Sequence, residues 1–247
     1  MSKIMNELYT FAVELTFWLL IAFSIITWAL ILIKGVQNIL ASNRNRRFTR
    51  AFWSATDLNA AAALENHQGS AAQVAQVGFR TLRSADSSYG LDLEHSWDRQ
   101  DLLERHLRQQ IQKERRSLES GLAVLASIGT TAPFVGLFGT VFGIIEALTA
   151  ITSNSSASIE VVAGPIGHAL VATGFGIAVA IPSVLAYNYF LRRLKLIAAD
   201  LDDFATDFVT LVQKAGFRIK PTAITTKLPS RNSENNTGTD KSTEVFA

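Results

Sequence analysis

Three long apolar runs, at residues 17–33, 122–151 and 161–191, constrain this chain more than any other feature. In a helix that rises about 1.5 Å per residue, the first run nearly crosses a hydrocarbon core about 30 Å thick. The other two exceed that thickness and must tilt or protrude. The segments between the runs are polar, although 48% of the 247 residues are apolar and only 18% are charged. The sequence therefore predicts an all-α membrane protein with three transmembrane helices.

Basic residues indicate the orientation of the three spans. They follow the first span, precede the second and follow the third, whereas residues 152–160 contain no Lys or Arg. Positive residues prefer the cytoplasmic side of a membrane, so the N-terminus is predicted outside and the C-terminus inside. The residues that agree on this orientation are Lys34, Arg44, Arg46, Arg47, Arg50, Lys113, Arg115, Arg116, Arg192, Arg193 and Lys195.

These signals divide the chain into eight segments. They are a periplasmic N-terminus (1–15), transmembrane helix 1 (16–34), a cytoplasmic helical loop (35–120), transmembrane helix 2 (121–151), a periplasmic loop (152–160), transmembrane helix 3 (161–191), a cytoplasmic helix (192–216) and a disordered C-terminal tail (217–247). In the large loop, "HQG" and "SADSSYG" are typical of breaks between helices. The tail is too polar to offset the entropy of ordering.

The second and third spans are predicted to extend into the cytoplasm as a helical bundle. Leu103, Leu107 and Ile111 recur with helical spacing, and no proline follows them before Pro133. Helix 2 is therefore expected to begin deep in the cytoplasm. Beyond helix 3, apolar residues alternate at steps of three and four and form an a/d seam. A packed helical core is the favoured interpretation of this seam, and a partner-docking face is the alternative. Pairing the seam with residues 102–120 gives a tall two-helix rod. The seam consists of Leu194, Ile197, Leu201, Phe204, Phe208, Leu211 and Ala215.

Small residues mark the second and third spans and include one G-x-x-x-G pair. Small side chains allow membrane helices to approach closely where lipid supplies no hydrophobic drive for association. Contact with other chains in an oligomer is favoured, and packing within one chain is the alternative. The helix-packing residues are Gly136, Gly139, Gly143, Ala172, Gly176 and Ala180.

Two ionisable residues, Glu146 and His168, lie within these spans. A charge at mid-membrane costs about 2.5–3.5 kcal/mol, so such residues usually face an interior or a water-filled path. If the spans are antiparallel and Thr140 lies level with Thr173, Glu146 and His168 share one depth, as a neutralised pair or as two stations for a proton. The alternative is that Glu146 is a hydrated carboxylate at the outer interface. Threonines also occur in these spans, among them Thr130, Thr131, Thr140 and Thr173. The simplest explanation of these residues is structural, with each hydroxyl bonded to a carbonyl of its own helix.

Several classes of chemistry have no matching motif. The chain has no cysteine, no G-x-x-x-x-G-K-[ST] nucleotide loop and no H-E-x-x-H. An intramembrane enzyme that uses Glu146 and His168 is therefore disfavoured. The sequence predicts a protein that is not an enzyme and has no cofactor, metal or nucleic-acid partner.

The two later spans resemble the signature helices of the ExbB/TolQ/MotA proton-channel family. The resemblance is carried by "APFVGLFGTVFGI" (132–144) and "VAGPIGHALVATGFGIAVAIPSVLAYN" (162–188), together with the three-span topology and the large loop. The segment "VAGPIG" favours the ExbB branch over the TolQ branch. Pro133 matches the proline of the family's "APFVGLFG" turn, and Pro133 and Pro182 are predicted kinks.

The resemblance implies a homopentamer in the bacterial inner membrane, with a pore lined by the second and third spans. A dimer of a single-span partner, ExbD, would sit in the pore and carry protons on its membrane aspartate. Proton flow would do work on TonB for outer-membrane import of iron-siderophores and vitamin B12. One proton crossing 100 mV yields about 2.3 kcal/mol, which is enough to bias a conformational step. TolQ-like envelope maintenance in the Tol-Pal system, and a passive scaffold that only clamps a partner helix, are the alternatives.

The resemblance also implies a proton pathway through Thr140, Thr173, His168 and Glu146. Thr140 in "FGTV" and Thr173 in "LVATG" match the family's pore threonines. His168 is a departure, because the family commonly has a glutamate there, and Glu146 lies where the family usually has an uncharged residue. Two hypotheses follow: Glu146 compensates electrostatically for the missing glutamate, which is preferred, or a neutral His168 supplies different proton chemistry.

Overall fold

The computed structural model describes residues 2–64, 68–86, 93–154 and 159–217, and the secondary structure in those ranges is helical, without strands. Three of its helices are long and apolar enough to cross a membrane, as the sequence predicts. In chain order the helices are α1 (Ser2–Trp53), α2 (Leu58–Ala62), α3 (Ser70–Asp86), α4 (Leu93–Glu119), α5 (Leu122–Asn154) and α6 (Ile159–Lys214).

Helix α1 is longer than the predicted first span. Its 52 residues form one uninterrupted helix about 78 Å long, of which residues 16–34 are only the middle part. Its last turns carry Phe48 and Phe52, which are buried. The first helix therefore crosses the membrane segment and also contributes to the bundle beyond it.

The boundary between α4 and α5 corrects the prediction of one helix that continues into the second span. Helix α4 ends at Glu119, and α5 begins at Leu122 after a turn at Ser120 and Gly121. Gly121 has φ +80°, a left-handed conformation that glycine adopts without a steric penalty. The Lys34 ammonium donates to the carbonyl of Leu118 at 3.1 Å and to Ser120 Oγ at 3.4 Å. A cation from α1 thus stabilises the carboxyl end of α4.

The predicted a/d seam forms the core of the extramembrane bundle, which comprises α3, α4 and the parts of α1 and α6 outside the spans. From Leu194 to Phe208 the seam residues are buried, whereas Ala215 is exposed. The predicted rod of two helices is wrong in one respect: four helices share the core, because α1 and α3 join α4 and α6. The Phe52 and Phe204 rings lie 5.1 Å apart, as do those of Phe79 and Phe208. Aromatic bulk needs more than two helices to cover it.

Contacts between α1 and α3 fix the start of α3. Asn45 Oδ1 accepts a hydrogen bond from the backbone N–H of Ala71 at 3.2 Å, which satisfies one of the free donors at the beginning of that helix. Close packing follows further along, where a methyl group added at Gly78 would lie 2.6 Å from the Phe208 ring. Position 78 therefore accommodates only glycine unless Phe208 moves.

Several predicted features lie wholly or partly outside the described residues. They are His67 of the "HQG" break, residues 87–90 of the "SADSSYG" break, residues 155–158 of the periplasmic loop and residues 218–247 of the C-terminal tail.

Candidate functional site

Helices α5 and α6 run antiparallel and pack through their small residues. A methyl group added at Gly136 would lie 2.8 Å from the carbonyl oxygen of Ala172, and one added at Gly176 would lie 2.7 Å from that of Ala132. Backbone atoms cannot move aside as a flexible side chain can. The two helices therefore meet backbone to backbone at this level, as small residues allow in membranes.

The other small residues contact elements of the same chain. Added methyl groups at Gly139 and Gly143 would meet the side chains of Ala172 and Ala169 at 3.0 and 2.6 Å, and Ala180 is buried beside Ile128 and Val179. The methyl group added at Gly139 would also lie 2.9 Å from the Thr16 side chain of α1. Within one chain these residues already have packing partners.

Each of the two predicted pathway threonines donates its hydroxyl proton to a backbone carbonyl. Thr173 reaches across the helix interface and donates to the Gly136 carbonyl at 3.2 Å. Thr140 donates to the carbonyl of Leu137 on its own helix at 2.6 Å and is 7% exposed. Because both protons are engaged, each oxygen is left with lone pairs that can accept a hydrogen bond.

The register of α5 and α6 differs from the one assumed for the acid–imidazole pair. Thr173 lies beside Gly136, and Gly139 packs against Ala172, so Thr173 is about two to three residues, roughly 3–4 Å along the helix axis, from the level of Thr140. Gly143 faces Ala169 and the Pro165 carbonyl, which puts Glu146 about one turn further along the interface than His168. Glu146 and His168 are therefore not level.

Glu146 is directed to α1. Its Oε1 accepts a hydrogen bond of 2.8 Å from the hydroxyl of Thr10, and one turn earlier the Phe142 ring lies 6.1 Å from that of Tyr9. Among the described residues, Glu146 and His168 form no ion pair. Both residues lie toward the α1 side of the α5–α6 pair, since His168 is seven positions before Phe175, but the Glu146 carboxylate binds a neutral hydroxyl.

His168 has an exposed side chain, although the next residue, Ala169, is buried against α5. A step of one residue turns the side chain by about 100° around the helix axis. Within one chain His168 is therefore available to a neighbouring helix or to water.

One face of the α5–α6 pair is covered by α1, and the opposite face is an uncovered apolar surface. Contacts from α1 include the Phe17 ring, 6.3 Å from that of Phe175. On the uncovered side, each pathway threonine has an exposed large apolar residue three positions before it and another four positions after it. Side chains at these spacings share one face of a helix, so Thr140 and Thr173 lie along the border of this surface. The exposed apolar residues are Leu137, Ile144, Leu170 and Ile177.

Pro133 and Pro182 lie inside helices that continue through them, so "APFVGLFG" forms helix and not a turn. After Pro182, the Ser183 hydroxyl is fully buried and donates to the Leu125 carbonyl at 2.7 Å. Thr130 and Thr131, on α5, donate to carbonyls of their own helix, as expected for structural threonines.

Sequence reasoning missed Thr10 and Lys34. Thr10 lies before the first apolar run, and only the length of α1 brings it beside Glu146. Lys34 was used only as an orientation signal, yet its ammonium joins α1 to the end of α4. A cation at the edge of an apolar run was the available signal for Lys34.

The fold and the site together define a helical membrane protein in which two glycine-packed spans carry hydroxyl and ionisable groups beside an uncovered apolar surface. A model of the MotA/TolQ/ExbB proton channel family matches residues 72–203. The chain belongs to this family, whose members are proton channels and transport proteins rather than enzymes. This membership supports a function of the ExbB/TolQ type.

Three similar proteins illustrate the relationship. Biopolymer transport protein ExbB of Xanthomonas campestris pv. campestris (strain B100) is 39% identical over 195 residues, which cover 76% of each chain. ExbB of Neisseria meningitidis serogroup A is 38% identical over 77% of this chain and 87% of its own length. Tol-Pal system protein TolQ of Haemophilus influenzae is 33% identical over 85% of this chain and 92% of its own.

Proposed function

We propose that this chain is an ExbB-like subunit of the bacterial inner membrane. With an ExbD-like partner it converts proton motive force into work on a TonB-like protein, for outer-membrane import of iron-siderophores and vitamin B12. The observation that carries the proposal is a difference in similarity: ExbB of Xanthomonas campestris and of Neisseria meningitidis are 39% and 38% identical, and TolQ of Haemophilus influenzae is 33% identical. A TolQ-like function in the Tol-Pal system is the second candidate, because TolQ proteins match over more of the chain.

In the proposed assembly, five copies form a ring with the N-termini in the periplasm and the C-termini in the cytoplasm. The uncovered apolar surface of α5 and α6 faces the ring axis and holds the single-span helices of the partner dimer. Its exposed leucines and isoleucines suit the apolar surface of a single-span helix. The bordering threonines would then face the partner's carboxyl group.

The threonine geometry gives the proton step a physical basis. Thr140 and Thr173 donate to carbonyls, so their oxygens act toward a partner as acceptors. An acceptor stabilises the protonated form of a carboxylic acid and disfavours the carboxylate. A partner carboxyl that reaches these hydroxyls is held neutral and crosses the apolar level of the pore without an unpaired charge.

His168 and Glu146 have different tasks in this proposal. His168 is exposed and is proposed to exchange a proton with water near the outer end of the pathway; it lies seven positions before Phe175, on the α1 side of α6 and not on the surface that faces the ring axis. Glu146 compensates for the missing family glutamate through its charge at the outer end of the pathway, while its bond to Thr10 holds α1 against α5. The hypothesis of a directly paired acid and base is not retained, because the two side chains do not meet.

Complementation tests the choice of system. We expect the chain, expressed with the single-span partner from its own organism, to restore uptake of a ferric siderophore and vitamin B12 in a strain that lacks ExbB. A protonophore should abolish the restored uptake. Recovery of envelope integrity in a TolQ-deficient strain, without recovery of uptake, would support the Tol-Pal function instead. Uptake that persists after the proton gradient is collapsed would overturn both.

A further inference from the structure

Helix α6 carries an acidic stripe on an exposed flank, about 100° around the helix from its buried seam. Asp200, Asp203 and Asp207 follow each other at intervals of three and four residues, and all three are exposed. The inward-facing positions between them, such as Leu201 and Phe204, are buried. Within the described part of the chain, the three carboxylates have no ion-pair partner. The stripe is thus a row of unneutralised charge that points away from the bundle.

Helix α4 carries a basic stripe that also points away from the bundle. Arg105, Lys113 and Arg116 line one exposed surface of the helix, which also carries Asp101 and Glu104 toward its start, whereas Leu107 and Ile111 on the other side are buried. Arg108 is not counted in the stripe, because it reaches Glu104 of its own helix at 3.4 Å. The two stripes lie on separate outer flanks of one bundle and cannot meet within the chain.

The two stripes lie at matching heights along the bundle. At the far end, Gln213 of α6 donates to Gln100 of α4 at 2.6 Å. At the membrane end, Leu118 packs against the cluster that contains Leu194. Interpolation between these antiparallel contacts places Lys113 level with Asp200 and Arg105 level with Asp207. Each of these two cations of the basic stripe thus has an anion of the acidic stripe at its own level.

A lipid surface does not fit the basic stripe. Arg105 precedes Leu122, the first residue of α5, by 17 positions, or about 25 Å along a helix. Screening in physiological salt limits the attraction of anionic headgroups to about 8 Å. The occupant must therefore be a protein surface that rises far from the membrane and carries negative charge at fixed heights.

We infer that neighbouring copies of this chain join through the acidic stripe of α6 in one copy and the basic stripe of α4 in the next. The inference deepens the proposed function, because it rests on the ring of copies. Copies in one bilayer share one orientation, so the ring axis is perpendicular to the membrane and every residue keeps its height. The acidic stripe of one copy and the basic stripe of the next therefore meet at the same height. Because the two stripes lie on different flanks, the contact is head-to-tail and generates a closed ring when repeated.

Disulfide mapping tests the contact directly, because the chain contains no cysteine. In the complex of full-length chain and partner, Lys113→Cys combined with Asp200→Cys in one chain should give a ladder of cross-linked oligomers on oxidation. Arg105→Cys combined with Asp207→Cys should give the same ladder, and each single-cysteine chain should not. Absence of both ladders overturns the inference, whether the protein is oligomeric or monomeric.

Charge reversal provides the second test, made in the chain that carries Arg105→Cys and Asp207→Cys. Asp200→Lys alone and Lys113→Asp alone should each lower the yield of this cross-link about fivefold at 0.1 M salt, and the two together should restore it. Arg47→Asp, which reverses an exposed charge on α1, is the matched control and should leave the yield unchanged. A yield insensitive to either single reversal overturns the inference. Siderophore uptake measured on the same variants tests the proposed function separately, because uptake can persist in a ring held by other contacts.

Discussion

The Thr173 hydroxyl of α6 donates a hydrogen bond to the Gly136 carbonyl of α5, 3.2 Å away. This bond is possible only because Gly136 has no side chain, and the absence of a side chain brings its backbone against Thr173. One close approach therefore fixes the register of the two helices and also positions a hydroxyl proposed to line the proton pathway. Packing and function can be separated by substitution at the two residues.

At the packing residues, Gly136→Ala and Gly176→Ala should each lower the free energy of unfolding by about 1–3 kcal/mol, because the new methyl group meets a backbone carbonyl that cannot yield. Unfolding in mixed micelles, followed by circular dichroism, measures the change. Gly174→Ala is the control, since an added methyl group there has no neighbour within 4 Å. Equal stability of the Gly136 and Gly174 variants would contradict the backbone contact.

At the pathway hydroxyl, Thr173→Val should have little effect on stability and a large effect on transport. Interhelical hydrogen bonds in membranes contribute about 0.6 kcal/mol on average, whereas loss of the acceptor removes a step of the proposed proton path. We expect proton-driven siderophore uptake to fall at least tenfold while the complex with the partner still assembles. Thr173→Ser should retain uptake, as should Thr131→Val, which removes a hydroxyl bonded only within α5. Full uptake with Thr173→Val would favour the passive scaffold.

For the histidine, His168→Ala should impair partner-driven uptake, because the exposed imidazole is proposed to exchange protons with water near the outer end of the pathway. His168→Glu, which restores the residue common in the family, should keep uptake high. Uptake rates at matched protein levels, together with their dependence on external pH, distinguish the two variants. Normal uptake and an unchanged pH profile in His168→Ala would remove the imidazole from the mechanism.

At the junction of α4 and α5, Lys34→Met should lower the free energy of unfolding by about 1 kcal/mol or more. The substitution leaves the Leu118 carbonyl without its charged donor at the end of α4. Proteolysis at the Ser120–Gly121 turn, compared under native conditions, should also become faster. Arg47→Met removes an exposed cation from the same helix and should leave both measurements unchanged. If the two variants behave alike, the Lys34 contact does not stabilise the junction.

The sequence alone determined the class of fold and the family. Three apolar runs are too long for anything but membrane helices, because hydrocarbon offers no partner for an unpaired backbone. The seam from Leu194 to Phe208 follows equally directly, since a helical apolar stripe must be covered. Both inferences depend on spacing along one helix, which a sequence displays completely.

Only the tertiary structure decided which helices meet and in what register. The assumed alignment of Thr140 with Thr173 was wrong by about two to three residues, because the backbone contact at Gly136 sets the register and the threonines follow it. The partner of Glu146 turned out to be Thr10, 136 positions earlier in the chain. A one-dimensional pattern gives the face of a residue on its own helix. It does not specify which neighbour covers that face, because this choice depends on the packing of all three spans together.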